Sequence, residues 1–97
     1  MINVLIERYK MIKIKDISQI AAKMIYDIYR KRPSGYFNFK SFFEVLKENN
    51  QELTKNDFIA MMNYLEEKRL IKTEKFIGSE MSWLFKPTAI LIDKIEG

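Results

Sequence analysis

Apolar residues recur at helical spacing between residues 16 and 31, which predicts an amphipathic helix. Asp16 is placed to cap this helix, and Gln19 stands at the third position of a capping box. Pro33 and the Ser34-Gly35 pair then end the helix and turn the chain. The predicted buried stripe consists of Ile17, Ile20, Ala21, Met24 and Ile28.

The segment before this helix also carries an apolar pattern. Its apolar residues lie at helical spacing, although residues 12–15 alternate as a strand would. We interpret residues 1–15 as an N-terminal helix or arm that precedes a domain at residues 16–97. The apolar positions are Ile2, Leu5, Ile6, Tyr9 and Ile12.

Two further helices are predicted in the middle of the chain, after a short aromatic strand at Tyr36–Phe39. Ser41 with Glu44 forms one capping box, for a helix that reaches about Asn49. Thr54 with Asp57 forms a second box, for a helix that ends near Arg69. Leu53 and Phe58 flank this second cap at the spacing of a hydrophobic staple.

The C-terminal third has the pattern of a hairpin. Segments 70–77 and 81–86 are predicted strands around Gly78-Ser79-Glu80, and Met81, Trp83 and Phe85 form one face of the second strand. Pro87 ends this strand, and Thr88 caps a last short helix. The fold class is therefore mainly α with a small β-hairpin. We expect one core that contains Phe39, Phe43, Phe58, Met62, Leu65 and Phe85.

The composition of the 97 residues limits the metal, cofactor and catalytic sites that the chain can form. The chain has no Cys and no His, and it shows no Gly-rich phosphate loop. We therefore expect no metal, no cofactor and no enzymatic activity. The apolar run near the N-terminus is too short for a signal peptide or a membrane span, which favours a cytoplasmic protein.

The element order of helix, short strand, two helices and hairpin resembles the winged helix-turn-helix superfamily, especially MarR-type regulators and small phage-associated proteins of the YjcQ type. The resemblance covers residues 16–97, and the stretch from Leu53 to Ile71 and the ending at residues 86–90 carry it. One departure stands out, because Arg69 occupies the place where the family usually has glycine. We therefore expect the following strand to begin without a Schellman turn.

The resemblance implies DNA binding through the helix that follows Thr54 and through basic residues of the wing. It places Lys55, Asn56, Ala60, Asn63 and Tyr64 toward the major groove. Lys72, Lys75 and Lys86 would hold phosphates from the wing. The function implied is that of a small transcriptional regulator that binds double-stranded DNA. An ordinary solvated helix face is the competing interpretation of the polar residues on this helix.

The charge distribution keeps an alternative open. Residues 1–40 hold nine Lys or Arg and three Asp or Glu, a net of +6, whereas residues 41–97 hold eight and ten, a net of −2. Segment 53–69 has a net charge of zero, which favours a protein-interaction module without DNA binding. The apolar residues of the terminal segments exceed what one small core absorbs, so we also expect a homodimer. These residues are Ile2, Leu5, Ile6, Tyr9, Ile90, Leu91 and Ile95.

Overall fold

A computed structural model describes residues 13–33 and 35–97. The predicted helix at residues 1–12 lies outside the described residues. Four helices and a small antiparallel sheet make up the described part. In chain order they are α1 (Ile14–Lys31), β1 (Phe37–Asn38), α2 (Phe39–Asn49), α3 (Lys55–Glu67), β2 (Ile71–Glu74), a 3-10 helix (Glu80–Ser82), β3 (Leu84–Pro87) and α4 (Ala89–Glu96).

Helix α1 begins three residues earlier than an Asp16 cap predicts, so the proposed cap is wrong. Lys13 is the N-cap residue, with no capping hydrogen bond from its side chain, and Asp16 lies in the first helical turn. Ile14 is partly buried against the core three positions before Ile17, so it extends the apolar stripe toward the N-terminus. Burial of Ile14 therefore decides where α1 begins. Ile20, which was assigned to the buried stripe, is exposed, and Ile25 is buried.

Helix α2 also begins earlier than predicted. The side chain of Asn38 accepts a hydrogen bond from the Ser41 N–H at 3.1 Å, so Asn38 is the cap and Ser41 lies within the first turn. The predicted Ser41 capping box is therefore wrong. The predicted short strand is present but covers only Phe37 and Asn38, because Phe39 already belongs to the helix. Phe39 is the first residue of α2 and is buried, with its backbone N–H bonded to the carbonyl of Trp83.

Helix α3 begins at the predicted cap. Thr54 Oγ1 accepts a hydrogen bond from the Asp57 N–H at 3.0 Å. Leu53 and Phe58, the residues of the predicted staple, are both fully buried in the core. A cap contact within three residues is a local property, and the sequence is therefore sufficient to predict it.

The turn after α3 corrects the expectation for Arg69. Its φ of 61° is in the left-handed region, and the chain forms a Schellman motif without glycine. The Leu70 N–H donates to the Leu65 carbonyl, and the Arg69 N–H donates to the Glu66 carbonyl, both at 2.9 Å. The Thr88 hydroxyl also donates to the Arg69 carbonyl at 2.6 Å, so a cap of α4 helps to hold this turn.

Arg69→Gly should raise the free energy of unfolding by about 0.5–1 kcal/mol. Glycine relieves a left-handed strain of roughly 1–2 kcal/mol, and its larger unfolded-state entropy offsets part of the gain. Arg69→Val provides the control, and we expect it to lower stability because a β-branched residue fits this region poorly. Urea unfolding of the three proteins measures both changes. A glycine variant less stable than the parent would show that Arg69 stabilises the turn by a contact of its side chain.

The sheet has the order β1-β3-β2, with both pairings antiparallel. Phe85 on the central strand pairs with Phe37 on β1 and Thr73 on β2. The predicted hairpin is confirmed, although its strands are shorter than expected and a loop at residues 75–83 joins them. Met81, predicted to lie in a strand, is part of the 3-10 helix, where Ser79 accepts a hydrogen bond from its N–H.

The inner face of the sheet packs on the helices in one core. Phe39, Phe58, Met62, Leu65 and Phe85 are buried as predicted. Phe43 is partly buried against the same cluster, and the Met61-Met62 pair is also core.

The C-terminal helix α4 contributes to the same core. Thr88 accepts a hydrogen bond from the Leu91 N–H at 3.4 Å, so the predicted cap of this helix is confirmed. Leu91 is buried, Ile95 packs partly against the core, and Ile90 is 50% exposed. The core therefore takes up two of the three apolar residues of α4 on which the dimer prediction depended.

Candidate nucleic-acid interface

The outer face of α3 is a polar stripe formed by Asn56, Ala60, Asn63 and Glu67. These residues follow one another at spacings of four, three and four, so they share one side of the helix, and all four are exposed. The opposite side, which includes Phe58 and Leu65, is buried. Of the predicted groove-facing residues, the structure therefore brings Asn56, Ala60 and Asn63 together. We call these three residues and Glu67 the α3 stripe.

The loop at residues 75–83, which we call the wing loop, contacts one flank of α3. Lys55 and Glu66 are eleven residues apart, which places them on the same side of the helix beside the α3 stripe. Lys75 Nζ lies 3.3 Å from Glu66 Oε1, and it also lies 5.5 Å from the ring centroid of Trp83. These contacts hold the base of the wing loop next to the flank that carries Lys55.

Trp83 closes the wing loop and packs on the core. Its indole N–H donates to the Phe76 carbonyl at 2.8 Å across the loop, and its ring makes an edge contact with Phe39. Trp83 is therefore partly buried against the core. Beyond this contact the loop is apolar at its tip, where Phe76 is 49% exposed and Ile77 is fully exposed.

Lys72 and Lys86 face away from α3. They are register partners on adjacent strands, and their neighbours Ile71 and Phe85 turn inward to the core. Alternation along a strand therefore places both lysines on the outer face of the sheet. The structure does not bring them together with the α3 stripe. In the sequence, Trp83 and Phe85 alternate on one face of the predicted strand, which already indicates that Lys86 lies on the other face.

Tyr36 lies beside Lys86 on the outer face of the sheet. Lys86 Nζ lies 5.1 Å from the centroid of the Tyr36 ring. The Tyr36 hydroxyl donates to Glu74 Oε1 at 3.0 Å, and this hydrogen bond to a carboxylate raises the pKa of Tyr36. These contacts support a structural role for Lys86 in joining β1 to the wing strands.

Tyr64 lies on the flank of α3 opposite the wing. It is half-buried, lines a groove between α3, α1 and α4, and has Lys68 Nζ 5.6 Å from its ring centroid. The eight predicted site residues thus fall into three groups. Asn56, Ala60 and Asn63 share the exposed face of α3 with Lys55 beside them, and Lys75 lies in the loop next to Glu66 at the C-terminal end of the helix. Lys72 and Lys86 lie on the outer sheet face, and Tyr64 lines the groove between α1, α3 and α4.

Glu66 and Glu67 are the acidic residues at the C-terminal end of α3, and they contribute to the zero net charge of segment 53–69. Glu66 is half-buried and partners Lys75, whereas Glu67 is exposed at the C-terminal end of the α3 stripe. The N-terminal half of α3 carries Lys55 and the positive end of the helix dipole, together with Asp57 in the first turn.

Within residues 13–33 and 35–97, none of the helices combines the length and the apolar character that crossing a membrane requires. Comparison of the chain with known protein families, with curated proteins and with solved structures finds no match.

Proposed function

We propose that this chain is a winged helix-turn-helix protein that binds duplex DNA through α3 and the adjoining wing. The order of its elements and the three-stranded sheet with β3 in the centre support the fold proposal. The observation that carries the functional proposal is the α3 stripe, in which two asparagines flank a small residue on an exposed helix face. An α-helix of this kind fits the major groove of B-DNA.

In the proposed complex, Asn56 and Asn63 read base edges. An asparagine side chain can donate to N7 and accept from N6 of the same adenine, and a good bidentate pair discriminates by about 1–3 kcal/mol. The two residues are about 10 Å apart along the helix axis, because each residue rises about 1.5 Å. This spacing corresponds to about three base-pair steps. Ala60 lies between them and offers a methyl group to a thymine.

The phosphate contacts in this proposal come from Lys55 and Lys75. Lys55 is the first residue of α3, Lys75 lies in the loop beside Glu66, and both are exposed. The ion pair of Lys75 with Glu66 has side chains 51% and 34% exposed, so it is a weak surface pair that a phosphate can replace. In the proposed complex the exposed apolar tip at Phe76 and Ile77 follows the adjacent minor groove, where apolar side chains can pack.

Selection from a random duplex pool tests this function. We expect the purified 97-residue chain to enrich a short motif with adenines about three base pairs apart, because the α3 stripe contacts base edges directly in the proposed complex. Enrichment is measured by sequencing the bound duplexes after successive rounds at moderate salt. Two results together would contradict DNA recognition and favour the protein-interaction alternative. The pool would stay random, and this chain would bind duplex DNA no more strongly than a control protein of similar charge does.

A further inference from the structure

A groove of about 430 Å³ lies between α1, the C-terminal end of α3, and α4. Its floor is apolar and includes Leu65, Leu70 and Leu91 from the core, with Ile95 beside them. The groove opens on the Tyr64 flank of α3, which is the flank away from the wing. A ligand in this groove would therefore leave the wing-side flank of α3 uncovered.

Four lysines surround the apolar floor. Lys15 and Lys23 come from α1, Lys68 follows α3, and Lys94 comes from α4. The described residues that line the groove include no Asp or Glu. Lys23 pairs with Asp27 at 3.2 Å, but both side chains are more than half exposed, and such a pair contributes little. The rim is therefore electropositive around a strip of hydrocarbon.

We propose that this groove binds an acidic amphipathic helix of a partner protein. Such a helix presents an apolar stripe to the Leu65, Leu91 and Ile95 floor, and its flanking Asp and Glu side chains reach the lysine rim. Only a ligand that matches both the charged rim and the apolar floor uses the whole groove. A nucleic-acid backbone would use the lysines but leave the floor without an apolar partner, and a small anion would contact neither the whole rim nor the floor.

Charge also argues against occupation by the chain's own N-terminal segment. Residues 1–12 contain Arg8 and Lys10 against a single Glu7, a net of +1, which does not complement a rim of four lysines. A partner segment with excess carboxylates matches the rim better. The proposal does not depend on DNA binding, because it uses a different flank of α3.

A synthetic peptide provides the probe for this proposal. Its sequence places leucines at positions i, i+3, i+4 and i+7 over three turns, with glutamates at most other positions. A second peptide of the same composition has the leucines scattered around the helix. Titration calorimetry with the 97-residue chain measures binding of both peptides. Amide chemical shifts locate any bound peptide, and the amides of Ala22 and Leu65 serve as reporters of the groove.

We expect the striped peptide to bind and to shift the groove amides, and the scattered peptide to bind at least about tenfold more weakly. Lys68→Glu with Lys94→Glu should weaken the striped peptide by about tenfold or more, because like charges then face each other. The matched control is Lys31→Glu with Lys40→Glu, which changes the net charge equally at exposed sites outside the groove. A Lys68→Gln, Lys94→Gln pair, with helix content checked by circular dichroism, separates lost binding from lost folding.

Three results would overturn the proposal. The first is equal affinity for the two peptides, because the apolar stripe would then have no role. The second is equal weakening by the groove and control pairs, which would indicate an unspecific charge effect. The third is a set of shifted amides on the outer sheet face or the α3 stripe, which would place the peptide elsewhere. Failure of the duplex selection leaves all three readouts unaffected.

Discussion

Phe58→Ala should lower the free energy of unfolding by about 3–5 kcal/mol. Phe58 is fully buried at the start of α3, and its ring contacts Phe39, Phe42 and Phe43 with centroid separations of 5.8, 6.1 and 5.0 Å. The substitution removes most of a large apolar side chain and leaves a cavity that α2 and α3 cannot close. Since small domains have about 5–15 kcal/mol of stability, such a loss is a large part of the total.

Phe76→Ala is the matched control for this substitution. Phe76 lies in the wing loop with about half of its side chain exposed, and the hydrogen bond from Trp83 goes to its backbone carbonyl, which alanine retains. We expect the control to change stability by roughly 0.5 kcal/mol or less. Thermal and urea unfolding of both variants measure the two effects. Equal losses at the two positions would contradict the assignment of Phe58 to the centre of the core.

Ala60→Glu should reduce affinity for the selected duplex by about a hundredfold or more, since a carboxylate against the phosphate and base edges costs several kcal/mol. Ala60 is exposed in the middle of the α3 stripe, so the longer side chain meets no protein atom of the core and the fold should persist. Fluorescence anisotropy with a labelled duplex measures the change.

Ala89→Glu supplies the control, because it introduces the same charge at an exposed helical position on α4. We expect its effect on duplex affinity to be small, since α4 lies outside the proposed interface. If both variants bind DNA with the affinity of the parent, α3 does not enter the major groove of the DNA. If both lose affinity equally, the effect comes from net charge and the assignment of the α3 stripe fails.

Local signals and tertiary burial account for what the sequence did and did not predict. The start of α3 is correct because the Thr54 cap and its partner N–H are three residues apart, so no other part of the chain is needed. The predicted starts of α1 and α2 are wrong. Burial of Ile14 and Phe39 extends each helix toward the N-terminus, past the capping residue that the sequence pattern predicts. The Schellman turn forms at Arg69 because the surrounding hydrogen bonds hold an unfavourable φ.

The candidate site was predictable in part for the same reasons. The shared face of Asn56, Ala60 and Asn63 follows from helical periodicity alone. The separation of Lys72 and Lys86 from α3 depends on the register of β2 with β3, and the pairing of Lys75 with Glu66 depends on how the hairpin folds back on α3. The groove between α1, α3 and α4 joins residues up to 80 positions apart, and no local pattern indicates it.

The salt dependence of duplex binding tests the central claim most directly. We expect log affinity to fall linearly with log salt, with a slope of about −0.9 for each phosphate neutralised. Lys55→Ala with Lys75→Ala should flatten this slope by about two, because both lysines neutralise phosphates in the proposed complex. Lys72→Ala with Lys86→Ala removes the same charge from the outer sheet face and should leave the slope nearly unchanged. Equal slopes for both pairs, or a larger effect from the sheet-face pair, would contradict DNA binding through α3 and the wing loop.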